Sequence, residues 1–405
     1  MPPFENKMNR KGMVLCVLLV VYICLQYSVV YWNPYQHLSG IDHRMGGSVE
    51  WERNYLVIRV CLDEAHDLRA ALLGRAEAAA LVTRQDPAFS MFRARLSGGS
   101  SGYAYEYTGL GLGVLAIAPG LTDEQMIAHT SGQRATAVLG VHAHGFLLCV
   151  NHQFIDGITA LSLLRTMMDV PEVYDLRRPV RYVPLLSELY HLPRILRFLC
   201  ATKTTRYLPY VDHTRVEPRP AYLSESLPIA WLKAYKTQTA VSFGSVMSAY
   251  LTWRIFKAQP SVPALRVGVI VGLRGARRFN NYGVVYWEQP RPYQEEPANK
   301  EQAFVSYIQQ THSFFAAAYQ MAEMTYTIGN AYNTESTGSN TDVLISGLPL
   351  STKRDPTFCG SAIVRTTEFV KHASVPFYVM HVGTNTTTHL SWSIRDGSTT
   401  RVPRW

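Results

Sequence analysis

Cysteine is scarce and scattered in this chain. Its six residues, Cys16, Cys24, Cys61, Cys149, Cys200 and Cys359, form no CxxC pair and have no His at zinc-ligand spacing. Neither a structural metal site nor a disulfide framework is expected. Cys149 lies in an apolar run and reads as a small buried hydrophobe. Charge is sparse too, 17% of residues against 47% hydrophobic, which excludes a disordered chain. Short-period repeats are absent. Gly109, Gly111 and Gly113 make a GxGxG with no phosphate-binding helix after it, so they read as backbone accommodation in a strand or loop. The seven Trp and 24 Tyr are dispersed and build no base-stacking platform. His142 and His144 flank a short strand, where two-residue spacing marks a face rather than a metal site, and no metal is assigned.

Long apolar runs are also missing, with one exception that rules out a multi-span membrane protein. Met13 to Trp32 reads MVLCVLLVVYICLQYSVVYW, twenty residues without a formal charge and with aromatics at its end. A bilayer-spanning helix needs about 20 such residues. Lys7, Arg10 and Lys11 precede it, and Arg44 alone follows closely. The positive-inside rule then leaves the N-terminus cytoplasmic and the bulk of the chain across an endomembrane or the cell membrane. With no small-x-small cleavage site after the run, an uncleaved signal anchor is preferred over a removed signal peptide. A sequon, Asn385-Thr386-Thr387, is compatible with a lumenal domain.

The expected organisation is a cytoplasmic tail (1–12), the anchor (13–32), a polar linker (33–50), an N-terminal lobe (51–170), a crossover (171–224) and a C-terminal lobe (225–405). Strands are expected over 55–62, 145–150, 266–274, 341–345, 362–369, 377–382 and 389–394. Helical spacing marks 64–82, 123–132, 158–168, 241–257 and 300–324. The crossover holds an amphipathic stretch, Leu185 to Cys200. Strands and helices alternate in two comparable halves, giving an α/β chain with two lobes.

The most informative stretch is FLLCVNHQFIDG, from Phe146 to Gly157. A short apolar strand delivers His152 to its end, and four residues later Asp156-Gly157 opens an apolar helix. His is the side chain whose ordinary pKa permits proton abstraction near neutrality. Gly157 allows a close backbone approach that a side chain would block. On the residues alone, Asp156 could equally be the cap of the following helix, and His152 a satisfied, half-buried histidine.

The spacing His152-x-x-x-Asp156-Gly157, between an apolar strand and an apolar helix, resembles the HxxxDG signature of the chloramphenicol acetyltransferase-like acyltransferase superfamily. That superfamily includes carnitine acyltransferases, plant BAHD acyltransferases, condensation domains of non-ribosomal peptide synthesis and wax ester/diacylglycerol synthases. Where many members carry a double His, this chain has Asn151 first. The resemblance extends over roughly 52–400. Gln85-Asp86-Pro87 lies where many members have an Arg-His-Pro-like turn. Phe243 to Lys257 resembles the helix opening the second lobe, and the strand from Val267 ends, as in the family, in an Arg, here Arg274. Asn280-Asn281-Tyr282-Gly283 resembles the turn that follows. Asp342 to Pro349 resembles the late strand, with Gly347 replacing the usual Asn. The plant-type DFGWG is absent, which counts against a BAHD enzyme.

The resemblance implies two lobes, each a mixed sheet with flanking helices, and an active-site tunnel at their interface. It implies His152 as general base, taking the proton of an acceptor hydroxyl or amine as that atom attacks an acyl thioester. Asp156 would be structural, pairing with an Arg of the second lobe, with Arg274 the best match and Arg277 and Arg278 alternatives. Ser346 is the oxyanion candidate by position, a strand-end hydroxyl being its plainer reading. Nothing is expected to be bound as a cofactor; acyl-CoA is a co-substrate, and the arginines 274, 277 and 278 could contact its phosphates or simply face solvent.

The net charge of +9 suggests an anionic partner, and its distribution chooses among partners. Residues 1–12 carry +2, and residues 171–224, with nine Lys/Arg against five Asp/Glu, carry +4. The surplus thus flanks the anchor and fills the crossover, which favours lipid headgroups over nucleic acid. The leading expectation is a membrane-anchored O-acyltransferase acting on a lipid-like alcohol. Alternatives are a condensation-type enzyme fed by an acyl carrier protein, and an inactive binding homologue. A lumenal domain would conflict with the mainly cytosolic pool of acyl-CoA.

Overall fold

A computed structural model describes residues 55–63, 66–99, 102–107, 111–131, 136–152, 155–172, 207–208, 221–272, 282–292, 300–329, 341–351, 353–370 and 375–394. The tail, anchor and linker, most of the crossover with its amphipathic stretch, and Arg274, Arg277 and Arg278 lie outside these residues. Among the described residues no helix is long and apolar enough to cross a membrane.

The first part of the chain runs β1 (Tyr55–Leu62), α1 (Arg69–Gln85), a 3-10 segment (Pro87–Arg93), β2 (Ala94–Gly99), β3 (Gly102–Tyr107), β4 (Gly113–Ala116), α2 (Asp123–Ser131), β5 (Ala137–His142), β6 (Gly145–Asn151) and α3 (Gly157–Thr166). The second runs β7 (Ala221–Pro228), α4 (Ala230–Thr239), α5 (Phe243–Ala258), β8 (Ala264–Gly272), β9 (Tyr282–Pro290), α6 (Lys300–Gly329), β10 (Val343–Pro349), β11 (Thr357–Phe358), β12 (Ser361–Val370), β13 (Phe377–Gly383) and β14 (Thr387–Ile394). The helix expected from 64 begins only at Arg69, behind Asp67, whose carboxylate accepts the Arg69 N–H at 2.9 Å. β2 and β3 pair antiparallel, from Ala94 opposite Tyr107 to Gly99 opposite Gly102. β7 straddles the expected start of the second lobe at 225. Strands β3, β7, β9 and β11 and helix α4 were not expected from the sequence.

Two six-stranded mixed sheets form, in the orders β11-β12-β1-β6-β5-β4 and β7-β14-β13-β10-β8-β9. The lobes are therefore not two consecutive halves of the chain. After β10 the backbone crosses to the first sheet as β11 and β12, then returns to the second as β13. In the second sheet β8, β10 and β13 run parallel.

The period-2 alternation of the strands sorts the core. On β1 and β6, Leu56, Ile58, Val60, Phe146, Leu148 and Val150 face one large cluster, while Val57, Leu147 and Cys149 face a small one under α2. The large cluster continues into the second sheet through Leu348, Leu350, Tyr378, Met380 and Val382. The opposite face of that sheet, through Val267, Val343, Ile345, Phe377 and Val379, packs on α5 and α6 in a separate core. One apolar core thus spans both lobes, and burial at roughly 25 cal/mol per Å2 holds them together.

Candidate active site

Strand β6 brings His152 to this shared core. Gly145 makes the hairpin from β5 possible, since its φ is +147° and a Cβ there would stand 2.1 Å from the Val60 carbonyl oxygen. The strand then runs buried to Asn151, and the Ile155 N–H closes back on the Asn151 carbonyl at 3.1 Å, turning the chain into α3. His152 sits in that turn and is 9% exposed. It lies one residue past the end of β6, whose even-numbered residues Phe146, Leu148 and Val150 face the core between the sheets.

Desolvation lowers the His152 pKa below its ordinary 6.5, against smaller upward pulls from a hydrogen bond to its own backbone and from the Asp156 charge. A lowered value keeps the ring neutral at neutral pH, the form a base requires.

Asp156, 3% exposed, is the cap of α3. It has extended backbone, and its Oδ1 accepts the Thr159 N–H at 2.8 Å and the Thr159 hydroxyl at 2.7 Å. This is the helix-cap reading that the residues alone allowed; the Arg274 partner implied by the resemblance lies outside the described residues. Gly157 is where α3 touches the second lobe. A Cβ there would stand 2.7 Å from Leu348 Cδ1.

Ser346 lies on β10 and is 5% exposed. Its register partners are Met380 on β13 and Ile270 on β8, both packed in the shared core, so its side chain faces the first lobe. Ser346 is thus turned toward the core shared by the lobes, while His152 is buried in the turn one residue beyond the end of β6. The Gly347 departure has a physical reason. His381, paired with Gly347 across β13, fills the space, and a Cβ on Gly347 would meet its Nε2 at 2.4 Å. His381 as a residue is half-buried, and burial of its ring pushes the pKa down to about 4.

Three residues were not picked out from the sequence. Arg165, 5% exposed in the last turn of α3, donates to the Leu350 and Pro349 carbonyls at the end of β10. Asp342, fully buried, accepts the backbone N–H groups of Tyr207, Leu208 and Arg266 at 3.1, 2.9 and 2.8 Å, tying Tyr207 and Leu208 of the crossover to the second sheet. His381 is the third. The signal for Arg165 was present, a single charge in an otherwise apolar helix, ITALSLLRT. Cys149 behaves as read, with burial pushing its thiol up to about 12. Among the described residues no cluster of His, Cys, Asp and Glu could hold a metal ion.

No family model matches the chain, and no curated protein matches it by sequence. Solved structures do. The condensation domain of the monacolin K polyketide synthase superposes with a TM-score of 0.59 at 11% identity, over 91% of this chain and 93% of that one. The first condensation domain of the calcium-dependent antibiotic synthetase gives 0.58 at 12% identity, over 89% and 90%. The wax ester synthase/diacylglycerol acyltransferase of Marinobacter aquaeolei VT8 gives 0.50 at 12%, over 88% and 93%. The chain has the chloramphenicol acetyltransferase-like fold. The match covers nearly all of each partner, so the fold is present in both lobes rather than in one. At these identities the fold is what is shared; the chemistry rests on His152, Asp156, Gly157 and Ser346 as placed above.

Proposed function

We propose that this protein is an acyltransferase that moves an acyl group from acyl-CoA to a hydroxyl acceptor, with His152 as general base. The observation that carries this is His152 itself, a nearly buried imidazole that desolvation keeps neutral, at the end of a strand whose even-numbered residues face the core that Ser346 faces from the other lobe. His152 takes the acceptor proton as the oxygen attacks the thioester carbonyl, then returns it to the departing CoA thiolate, so the proton balance closes. Ser346 donates to the tetrahedral oxyanion, a contribution of about 3–4 kcal/mol for such a donor. The tunnel in which the two meet lies between the lobes. Residues 13–32 anchor the enzyme, and the basic crossover rests on lipid headgroups, which suits a lipid-like alcohol. The wax ester synthase among the structural neighbours supports this acceptor class.

A condensation-type reaction with a carrier-bound donor is the second reading, favoured by the condensation domains among those neighbours. Free-thiol release across a panel of acyl-CoAs and alcohols tests both, using membranes containing the full chain. Turnover that falls on the order of 10²–10⁴ in His152→Ala, with the fold intact, is the expected result. Equal turnover in the variant removes the catalytic assignment, and release only from an acyl-loaded carrier protein moves it to the second reading.

A further inference from the structure

Helix α3 is fastened to the second lobe at both ends, and both fastenings fall on three consecutive residues. At its start Gly157 lies against the Leu348 side chain. At its last turn Arg165 donates from Nε to the Leu350 carbonyl at 2.7 Å and from Nη2 to the Pro349 carbonyl. Helical side chains lean toward the N-terminus, so Arg165 reaches back along the helix to the strand its first residue touches. An Arg buried to 5% exposure needs its donors satisfied, and a charged donor to a buried acceptor makes one of the stronger hydrogen bonds.

The accepting carbonyls stand where the β10–β13 pairing stops, at Pro349 opposite Gly383. Leu350 is held on its other side, its N–H donating to the Gly383 carbonyl at 2.8 Å. The end of β10 is therefore fixed, and Arg165 borrows its rigidity. Ser346 lies two residues before Leu348 on this strand. His152 lies four residues before the Asp156 cap of the helix. A rigid ten-residue helix thus separates the base from a fastening on the strand that carries the hydroxyl.

We propose that Arg165 is a positioning residue, whose two hydrogen bonds to the end of β10 hold α3 at a set height on that strand and so align His152 with Ser346 across the lobes. This rests on the acyl-transfer reading above. Its neighbours divide the labour. Arg75 donates to the Met167 and Met168 carbonyls, both at 2.9 Å, and Asp169 accepts the Cys359 and Gly360 N–H groups at 2.8 Å, so the chain after α3 is held to the β11–β12 turn independently of Arg165. Removing Arg165 therefore loosens the height of the helix without releasing its far end.

The experiment uses the full chain in membranes and the acyl-CoA and alcohol giving the highest turnover in the panel above. Arg165→Met should lower kcat about 30-fold with KM for the acyl-CoA within about twofold, since a misplacement of about 1 Å can cost on the order of a hundredfold. Arg165→Lys, which keeps a donor and guards against misfolding of the first variant, should fall between. Combined with Ser346→Ala, Arg165→Met should add little further loss, because both act on the same alignment. Full multiplication of the two losses overturns the proposal, as does a change confined to KM. A readout without turnover is the ring resonance of His152 in histidine-labelled protein, assigned by its absence in His152→Ala. In Arg165→Met its titration midpoint should rise toward 6.5 as water reaches the ring. An unmoved resonance overturns the proposal whatever the kinetics. A moved resonance in a chain that turns over no thioester leaves the positioning role standing and removes the acyl-transfer reading.

Discussion

Gly347 and His381 share a volume that only one side chain can use. The ring of His381 lies over the Gly347 backbone, and any Cβ at 347 would come within 2.4 Å of it. Gly347→Ala should therefore displace the imidazole and destabilise by about 1–3 kcal/mol, the range for overpacking a filled core. His381→Ala empties the same space, so the double variant should be more stable than Gly347→Ala alone. Thermal melts of the four proteins give the coupling directly; additive losses would show that the two residues do not compete. The same residue-level logic applies to His152, whose environment holds it neutral. The acid limb of kcat/KM should have its midpoint below 6.5, the direction set by its desolvation.

Helix α3 is the element on which the site depends. It is short, ten residues, and largely apolar, so its ends rather than its propensity set its position. Asp156 satisfies the Thr159 N–H at the N-terminus, and a cap of this kind is worth about 1–2 kcal/mol. Asp156→Asn keeps an accepting oxygen in place and should retain most of that stability, whereas Asp156→Ala should lose all of it. Urea denaturation of the two variants measures the difference. Equal loss in both would show that the carboxylate's charge, not the cap, is what α3 requires. Strand β10 is the matching element in the other lobe, and α3 meets it at Leu348, Pro349 and Leu350.

At the scale of the whole molecule, stability should follow pH in two stages. His389, 3% exposed and bonded to the Ser226 hydroxyl at 2.8 Å, has its pKa pushed by burial down to about 4. A histidine depressed in the folded state stabilises fully above its unfolded pKa of about 6.5 and loses that contribution as pH falls toward its folded value. For His389 the loss amounts to about 2–3 kcal/mol between pH 6.5 and 4. His152 and His381 shift in the same direction. The carboxylates follow. Burial would raise Asp169, but bonds from Thr357, Gly360, Arg75 and Cys359 outweigh it and hold the group low; Asp355 is held low, against burial, by Thr384, Thr386 and Asn385. Their contribution is present above pH 3.8 and lost below it. Urea midpoints at pH 7.5, 5 and 3.5 should fall in that order, and a flat profile between 7.5 and 5 would contradict the buried histidines. Much of this molecule is written locally. The alternation in β1 and β6, the apolar run of α3 and the His-Asp-Gly spacing are short-range patterns, and they fix element type, the α/β class and the identity of the candidate base, because burial of one face demands a period of 2 or 3.6. Local pattern could not place β11 and β12 in the first sheet, since strand pairing across hundreds of residues is decided by which edge remains open once both sheets have formed. Nor could it single out Arg165 or explain Gly347, because each is defined by a partner distant in the chain. Which atoms share a buried volume is a property of the packed lobes, and there the tertiary structure alone decides.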